Sequence, residues 1–361
     1  MKTKGNTAVI CLSPFHGGME LDALRIAKLL RDISDVTLIA KQGSPLDLNY
    51  HTEAKSDGIN FETIRFNLFF SPSIIKNARR IIKEKKIKNV IFFGASEMRS
   101  LYFAFMGLNI NLIVRHGTTK STPKKDFFHR LIYSRVNWHI AICEHLKSNV
   151  YKIIPMGKNT QVRVIYSSLR HIPETISERE LTPSSPLQLL YIGRIADGKG
   201  LIDAIKACEI LHSNEIAFDF NCVGDIDPNF NELFMSAVFS APYKEHIKLP
   251  GFCSDVVKYL KASDIFIFPS KGEGLSNSFI EALSYGLTCI SYDNTSFPEL
   301  KELGFDFFIA KDQDLDDLKV KLQDAVAFTQ SNGIPINKNI VLAQKIFSPA
   351  RELNDFSGIL Q

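Results

Sequence analysis

The sequence has neither a long apolar run nor a recognisable leader. No stretch of its 361 residues approaches the ~20 apolar residues that a membrane-spanning helix needs. The segment that follows Met1 has too short an apolar core for a secretory signal and continues directly into a strand pattern. A hydrophobic content of 45% with a mean hydropathy of −0.01 is typical of a soluble globular protein. The length predicts two domains rather than one.

Paired cysteines and several common active-site motifs are also missing. The six cysteines are scattered singly, which indicates reduced thiols in the cytosol rather than disulfides or a zinc site. The absence of a Gly-x-x-x-x-Gly-Lys-Ser/Thr loop and of a Gly-x-Gly-x-x-Gly turn argues against a P-loop ATPase and a standard NAD enzyme. Asp225 and Asp227 have the spacing of a metal-binding pair, but they lie in a polar loop and are interpreted as solvated. We therefore expect no metal cofactor.

The positive charge of the chain is concentrated in its first half. Residues 76–135 hold 14 Lys and Arg against 3 Asp and Glu, a net charge of +11, so the remaining residues carry −7. Ser73–Lys88 is predicted to form a basic amphipathic helix directly after Leu68, Phe69 and Phe70. This surface could dock on anionic lipid or face a phosphorylated acceptor, or it could be an ordinary solvated helix face. The basic segment 121–135 is predicted to be a mobile or acceptor-side element. No nucleic-acid partner is expected.

Strand, turn and helix patterns alternate along the whole chain. This order predicts an α/β fold with doubly wound parallel sheets. The polar segment 171–186 contains three prolines, lacks apolar periodicity and is predicted to link two domains. The predicted organisation is a first domain over 1–170, a second domain over 187–340, and a C-terminal helix over 341–361 that could cross back to the first domain.

The stretch from Phe268 to Gly286 has the most informative pattern in the chain. It reads as the end of a strand, a Gly-rich turn and a helix with Ser276 or Asn277 as N-cap. Glu273 lies in the turn and Glu281 one turn into the helix, on either side of the free amides at the helix start. Such an arrangement could bind a diphosphate on backbone donors and sugar hydroxyls on the carboxylates, or it could be a strand, turn and helix with two solvated glutamates.

Three other turns follow predicted strands and carry chemistry-bearing residues. Arg194 and Lys199 flank a turn that contains Gly193, and two cations beside a helix start can hold a leaving diphosphate. Gly17 and Gly18 form a turn of the kind that lets the backbone approach a phosphate or sugar. His116 lies at the carboxyl end of a strand, where α/β sheets place groups that contact ligands, although a structural histidine is equally compatible with that position.

Taken in order, these motifs resemble those of the retaining nucleotide-sugar glycosyltransferases of family 4, which have the GT-B fold. The resemblance covers most of the chain and is strongest over residues 187–300. The matching segments are Gly17-Gly18-Met19-Glu20, Gly193-Arg194, Lys199-Gly200, Val223-Gly224, Leu249-Pro250-Gly251-Phe252, Glu273–Ala282 and Phe297-Pro298-Glu299. The resemblance implies two Rossmann-like domains that face each other across a cleft, and transfer of a sugar from a UDP or GDP donor to a glycan or lipid-linked acceptor in bacterial surface-polysaccharide synthesis.

The resemblance also implies roles for individual residues in the second half of the chain. Arg194 and Lys199 would neutralise the donor diphosphate, Glu281 would bind the ribose hydroxyls, and Glu273 would bind hydroxyls of the transferred sugar. Backbone amides near the helix start would help to bind phosphate and sugar, at Leu275, Ser276 and Asn277. A donor held in this way would need no metal ion, because the two side chains supply the positive charge.

In the first half, Gly17 and Gly18 would close over the diphosphate and His116 would contact the donor sugar. The sequence departs from the family pattern at 166–168, where Tyr-Ser-Ser replaces Pro-Asn-Gly, and at 295–299, where Thr-Ser-Phe-Pro-Glu replaces Gly-Gly-x-Pro-Glu. A non-catalytic nucleotide-sugar-binding subunit of a glycan assembly complex is the alternative interpretation. A sugar-nucleotide epimerase would need further acid and base residues that we do not find.

Overall fold

The computed structural model describes residues 4–15, 17–68, 70–173, 183–331 and 336–361. Phe69, which belongs to the predicted membrane-facing aromatics, and residues 174–182 of the predicted linker lie outside the described residues. The contacts divide the chain into two units. The first comprises residues up to Ser167 together with Pro349–Gln361, and the second comprises Ser168–Ser348.

The first unit is built on a seven-stranded parallel sheet in the order β3-β2-β1-β4-β5-β6-β7. The central strand β1 is buried along its whole length, as expected for a parallel sheet that helices cover on both faces. The strands are β1 (Thr7–Cys11), β2 (Val36–Lys41), β3 (Asn60–Ile64), β4 (Asn89–Phe93), β5 (Asn111–His116), β6 (Trp138–Ala141) and β7 (Gln161–Val164).

Helices connect these strands and bury their apolar faces against the sheet. They are α1 (Gly18–Leu30), α2 (Pro45–Ser56), α3 (Pro72–Glu84), α4 (Met98–Phe105), α5 (Phe127–Tyr133) and α6 (Glu144–Ile153). Helices α2 and α4 were not predicted from the sequence, and neither was α5, which lies in the segment 121–135 that was predicted to be a mobile or acceptor-side element. In α2 only Leu46 and Ala54 are buried, so the helical periodicity is weak. The predicted helix over Ser73–Lys88 is too long, because α3 ends at Glu84.

The end of α3 explains this error. Lys86 adopts a left-handed conformation with φ of 50°, and the N–H of Ile87 donates to the carbonyl of Ile82 at 2.9 Å. This hydrogen bond closes the helix in the way that a glycine usually does. Because a lysine takes the position, the sequence gives no sign of the stop.

The second unit contains a six-stranded parallel sheet in the order β10-β9-β8-β11-β12-β13. Its strands are β8 (Leu187–Ile192), β9 (Phe218–Val223), β10 (Ile247–Gly251), β11 (Ile265–Phe268), β12 (Thr288–Tyr292) and β13 (Phe308–Ala310). The helices are α7 (Leu201–Ala207), α8 (Glu209–Ser213), α9 (Asn231–Ser240), α10 (Val257–Ala262), α11 (Asn277–Ser284), α12 (Phe297–Glu302), α13 (Leu315–Gln330) and α14 (Ile336–Ile346), with a 3₁₀ turn at Lys244–His246. Two parallel, doubly wound sheets confirm the predicted α/β class.

The C-terminal segment forms two helices rather than the single helix predicted. After α14 the chain begins a new helix, α15 (Pro349–Ser357), with a proline as its first residue. A proline disfavours helical conformation at the preceding residue, here Ser348, which separates the two helices. Helix α15 belongs to the first unit, where Glu352 contacts Arg25 and Arg115. None of the helices in the described part of the chain is both long and apolar enough to cross a membrane.

Each sheet has one point at which the strand order reverses direction. In the first unit this switch point lies between β1 and β4, and in the second it lies between β8 and β11. Loops diverge there at the carboxyl ends of the strands and leave a crevice in which α/β proteins bind ligands. Three of the turns predicted to be functional follow β1, β8 and β11 and lie at these switch points, whereas the turn at His116 follows β5, two strands away from β1.

Candidate nucleotide-sugar site

In the second unit, the two turns at the switch point are bonded to each other. The N–H of Lys271 donates to the carbonyl of Gly198 at 2.9 Å, and the Ser270 hydroxyl donates to the same carbonyl at 3.2 Å. The turn after β8 and the turn after β11 therefore form one structural element, although more than 70 residues separate them in sequence.

Two glycines allow the backbones of this unit to come so close. A Cβ atom built on Gly200, whose φ is +73°, would lie 1.8 Å from the carbonyl oxygen of Pro269. A Cβ atom built on Gly224 would lie 1.9 Å from the carbonyl oxygen of Gly193. No side chain fits at either position, so these glycines are required by the packing of the turns rather than by a ligand.

The turns bring Lys199 and Glu273 together, as the sequence predicted for residues of one site. The ammonium of Lys199 lies 2.5 Å from Oε1 of Glu273, and the Ser270 hydroxyl donates to the same carboxylate oxygen at 3.3 Å. Both side chains are only partly buried, so a ligand can reach them. The backbone N–H of Glu273 donates to Oγ1 of Thr295 at 3.1 Å.

Thr295 is also a position at which the sequence departs from the family pattern. Its φ of 48° is left-handed, a conformation that the usual glycine would adopt without strain. The threonine keeps this backbone and adds a hydroxyl that fixes the backbone of Glu273. The departure thus adds a hydrogen bond to the turn that a glycine could not make.

Arg194 lies on the same turn as Lys199 and its side chain is exposed. Among the described residues its guanidinium makes no ion pair, and its backbone carbonyl accepts a hydrogen bond from the Tyr191 hydroxyl at 3.1 Å. Burial raises the pKa of Tyr191, Glu273 raises it further and Arg194 lowers it. Both charged groups therefore lie within electrostatic range of one buried hydroxyl.

Helix α11 begins as predicted, with Ser276 as its N-cap. The Ser276 hydroxyl accepts a hydrogen bond from the N–H of Phe279 at 3.4 Å. Leu275 is buried and Asn277 is exposed at the first position of the helix. The first N–H groups of a helix have no acceptor within it, and together with the helix dipole they favour an anion at this end.

Glu281 is more enclosed than Glu273, with only 7% of its surface exposed. Burial raises the pKa of its carboxyl to about 7, and the positive charge of Arg170 together with backbone hydrogen bonds from His171 and Arg170 opposes this rise. The carboxyl therefore holds its proton to a higher pH than an exposed glutamate does. An ionised carboxylate can accept two hydroxyl hydrogen bonds, such as those from a ribose diol.

In the first unit, Gly17 is the N-cap of α1 and Gly18 is its first residue. Gly17 has an extended backbone with φ of −172°, which any residue can adopt. A Cβ atom on Gly18 would meet no described atom within 4 Å. Unlike Gly200 and Gly224, Gly18 is therefore not required by the packing of the described residues.

His116 is the last residue of β5, and only 4% of its surface is exposed. Its Nε2 lies 2.9 Å from Nδ1 of His139, which is on the neighbouring strand β6. Burial and nearby positive charge lower the pKa values of both histidines, that of His139 to about 3, so both rings are neutral at pH 7. His139 was not predicted as part of the site. The apolar pattern of a buried strand does not show which side chain on a neighbouring strand it will contact.

A buried ionic network lies beside His116. Arg115 donates to Asp22 at 2.7 Å and to Glu352 at 3.2 Å, and Arg25 pairs with the same two carboxylates. Arg115 also donates to the hydroxyl of Ser167 at 2.7 Å. The positive charges lower the pKa values of Asp22 and Glu352 despite burial. This network ties α1, β5 and α15 together and fixes the end of β5 that carries His116.

Comparisons with known proteins identify the family of the chain. The family described as Glycosyl transferases group 1 matches residues 186–327. The UDP-Gal:alpha-D-GlcNAc-diphosphoundecaprenol alpha-1,3-galactosyltransferase of Escherichia coli is 31% identical over 350 residues, which cover 87% of this chain and 86% of that relative. The chain therefore belongs to the group 1 glycosyltransferases.

Two further relatives are glycosyltransferases named for the biosynthesis of a capsular polysaccharide and of amylovoran. The capsular polysaccharide biosynthesis glycosyltransferase CapH of Staphylococcus aureus is 24% identical over 292 residues, 76% of this chain and 78% of the relative. The amylovoran biosynthesis glycosyltransferase AmsK of Erwinia amylovora is 30% identical over 137 residues. This match covers 36% of the chain and spans only 33% of AmsK.

Solved structures confirm the expected GT-B architecture. A glycosyltransferase from Rickettsia africae superposes with a TM-score of 0.80 at 18% identity, over 99% of this chain and 97% of that chain. HepE of Anabaena in complex with UDP superposes with a TM-score of 0.77 at 15% identity, over 98% of each chain. At these identities the likeness concerns the fold. Among the described residues no group of three or more His, Cys, Asp or Glu is placed to hold a metal ion.

Proposed function

We propose that this protein is a retaining glycosyltransferase that transfers a hexose from a UDP-sugar to a lipid-linked glycan in bacterial surface-polysaccharide synthesis. The observation that carries the proposal is the Lys199–Glu273 pair at the switch point of the second sheet, next to the start of α11. A cation, a carboxylate and a helix N-terminus at one crevice suit a donor that has both a diphosphate and sugar hydroxyls. The UDP-dependent Escherichia coli relative favours UDP over GDP.

In the proposed reaction the second unit stabilises the leaving nucleotide. As the bond between the anomeric carbon and the phosphate oxygen breaks, negative charge grows on the diphosphate. Lys199, Arg194 and the amides at the start of α11 meet that charge. Glu273 orients the sugar, Glu281 holds the ribose, and the leaving phosphate accepts the proton of the incoming acceptor hydroxyl on the same face of the sugar. This route retains the anomeric configuration and needs neither a dedicated base nor a metal ion.

Thermal unfolding against a panel of nucleotide sugars tests the donor. A ligand that binds the folded state raises the melting temperature, so UDP-hexoses should do so while ADP-sugars do not. If GDP-sugars raise the melting temperature more than UDP-sugars do, GDP replaces UDP as the proposed donor nucleotide. No rise with any nucleotide sugar would contradict it.

Donor hydrolysis or transfer in the presence of EDTA tests the enzyme and its metal independence together. We expect nucleotide release to continue at an unchanged rate, since the cationic side chains act in place of a metal. Donor binding by calorimetry without nucleotide release, and without transfer to any glycan pool, would identify the non-catalytic subunit instead.

The proposed role of Gly17 and Gly18 in donor binding can be separated from a structural role. Because a Cβ atom on Gly18 meets no described atom, the variant Gly18→Ala should unfold at the wild-type temperature. Its donor affinity should fall if the backbone approaches the diphosphate. Unchanged turnover in a normally folded Gly18→Ala variant would remove this segment from the site.

We also propose that the first unit attaches to the cytoplasmic face of the membrane through α3. Phe70 is exposed just before α3, and Met106 is exposed at the end of α4. Lys76 and Lys83 are exposed on α3 itself. Arg79 is unsuited as a probe, because it donates to the carbonyls at the end of α4. The variant Lys76→Glu with Lys83→Glu should lose co-sedimentation with anionic vesicles. Co-sedimentation that survives both changes would refute this attachment.

A further inference from the structure

A second cluster of charged residues lies at the carboxyl edge of the first sheet, on the segments that follow β4 and β5 and close enough to His116 to lower its pKa. Glu97 and Arg99 follow β4, and Lys120 and Lys124 follow β5. Since β4 and β5 are parallel neighbours, both segments emerge at the same edge. This edge is where α/β units place ligand-binding groups.

The loop that carries the two lysines is held in place by α6. The N–H of Lys120 donates to Oδ1 of Asn149 at 3.0 Å, and Nδ2 of Asn149 donates back to the carbonyl of Lys120 at 2.9 Å. The N–H of Lys124 donates to the carbonyl of Ile153 at 2.9 Å. These bonds fix the backbone from which both ammonium groups project.

The cluster has more positive charge than its carboxylate can balance. Lys120 and Lys124 are half-buried, and among the described residues neither makes an ion pair. Burial lowers the pKa of Lys120 to about 8, with Lys124 lowering it further and Glu97 opposing; burial and Arg99 likewise lower the pKa of Lys124. Two partly desolvated cations that repel each other are costly unless an anion joins them.

Exposed apolar residues stand beside these cations. Phe127 is 84% exposed, and Phe128 and Leu131 are exposed on the same short helix α5, a few residues after Lys124. The guanidinium of Arg99 lies 5.6 Å from the centre of the Phe128 ring. The surface therefore combines a cationic pocket with an apolar face, a pattern that suits a ligand with an anionic head and a hydrocarbon chain.

We propose that Arg99, Lys120 and Lys124 bind the diphosphate of a prenyl-diphosphate-linked acceptor, with the exposed face of α5 against its prenyl chain. The inference rests on the proposed function, because it supplies the acceptor for the same transfer. A diphosphate matches the cluster in charge, and the apolar face distinguishes this ligand from a free phosphate. In this proposal the cluster binds the reducing end of the acceptor.

Calorimetry with farnesyl diphosphate tests the site directly. The variant Lys120→Met with Lys124→Met keeps the apolar stems and removes both charges. We expect its affinity for farnesyl diphosphate to fall about tenfold or more, since charge-assisted bonds are lost. Its melting temperature should not fall, since two charges that repel each other are removed, and its affinity for UDP should stay at the wild-type value. Lys55→Met with Lys158→Met, an equal charge change at exposed positions of the same unit, is the matched control.

Two other ligands separate the sources of the anion. Replacing Phe127 and Leu131 by serine should lower the affinity for farnesyl diphosphate and leave the affinity for inorganic diphosphate unchanged. The proposal is overturned if the double lysine variant binds farnesyl diphosphate with wild-type affinity. It is also overturned if the affinity of this variant for UDP falls as much as its affinity for farnesyl diphosphate. Equal competition by anionic vesicles that contain no diphosphate lipid would also overturn it, because a general membrane contact would then explain the cluster.

These measurements separate the acceptor site from the donor chemistry. Suppose that no nucleotide sugar binds the wild-type protein, while binding of farnesyl diphosphate still depends on Lys120 and Lys124. The proposed function then fails and the prenyl-diphosphate site stands. If nucleotide sugars bind and farnesyl diphosphate does not, the acceptor site alone fails.

Discussion

The ammonium of Lys199 and the carboxylate of Glu273 lie 2.5 Å apart across 74 residues of sequence. The two predicted donor-binding groups thus neutralise each other. Under the proposed function, a diphosphate would compete with Glu273 for the lysine, and its binding would release the carboxylate toward the sugar. The pair would then couple phosphate binding to the release of the group proposed to orient the transferred hexose.

This relationship predicts opposite effects of two substitutions on nucleotide affinity. Lys199→Met should weaken binding of UDP about 10- to 100-fold, because a charge-assisted contact is lost. Glu273→Gln removes the competitor for Lys199, so UDP affinity should be retained or rise while turnover falls. Calorimetry with UDP and a nucleotide-release assay measure the two quantities. An equal loss of UDP affinity in both variants would contradict the competition.

The close contact between the two turns predicts a difference between neighbouring glycines. Gly198 and Gly200 have similar positive φ values of 78° and 73°, but a Cβ atom meets nothing within 4 Å at Gly198 and a backbone oxygen at 1.8 Å at Gly200. Gly198→Ala should reduce the free energy of unfolding by about 1–2 kcal/mol, the cost of the left-handed backbone. Gly200→Ala should cost about 3 kcal/mol more, because the turns must separate.

Urea unfolding of the two variants measures this difference, and Gly198→Ala is the control for the backbone conformation. Similar losses of stability in both would mean that the turns after β8 and β11 are not packed as described. Loss of donor affinity in Gly200→Ala beyond that of Gly198→Ala should accompany the structural effect, since the Lys199–Glu273 pair depends on this contact.

The parts of the fold that the sequence predicted are those with a local cause. The strand that ends at Phe268 is a continuous apolar run, and Ser276 is a preferred N-cap, so the strand end and the helix start were both placed correctly. Local patterns failed where the deciding contact is distant or unusual. Lys86 ends α3 in a conformation normally taken by glycine, and no periodicity indicates this.

The candidate site shows the same limit. Spacing and residue type predicted that Lys199 and Glu273 belong together, because both follow strands and suit one ligand. Their pairing with each other, and the support of Glu273 by Thr295, depend on strand order, since β8 and β11 are neighbours only in the folded sheet. The contact of His116 with His139 on β6 likewise depends on the pairing of β5 with β6, which the sequence alone does not give.

The carboxyl of Glu281 predicts that donor affinity depends on pH. Burial raises its pKa to about 7, so protonation increases as the pH falls below that value. If the ionised form binds the ribose, affinity for UDP should fall about tenfold per unit below pH 7. A 2′-deoxy analogue of UDP should show a smaller dependence. Calorimetry between pH 6 and pH 8 makes the comparison, and equal pH profiles for both nucleotides would exclude this role.

The same group contributes to the pH dependence of folding. Its pKa is higher in the folded chain than the ordinary value near 4.5, so between these values the folded state holds more protons than the unfolded state. The free energy of unfolding should therefore fall as the pH rises from about 4.5 to 7. Glu281→Gln should remove this decline, and urea unfolding at several pH values would measure it.

The hydrogen bond between His116 and His139 predicts which nitrogen of His116 carries the proton. Both rings are neutral, and Nε2 of His139 is buried with no partner among the described residues. A buried N–H without an acceptor is rarer than a buried acceptor without a donor. His139 should therefore carry its proton on Nδ1 and donate it to Nε2 of His116. His116 then holds its own proton on Nδ1.

Nitrogen NMR of the imidazole rings can identify this tautomer. We expect the Nδ1–H form at His116 in the wild-type protein and a mixture of forms in His139→Phe, where the donor is lost. His139→Gln keeps an amide donor and should restore both the tautomer and turnover, while His139→Phe should lower turnover by about tenfold. An Nε2–H form at His116 in the wild-type protein would show that the hydrogen bond runs in the other direction. In that case His116 would offer a lone pair, rather than a proton, from Nδ1.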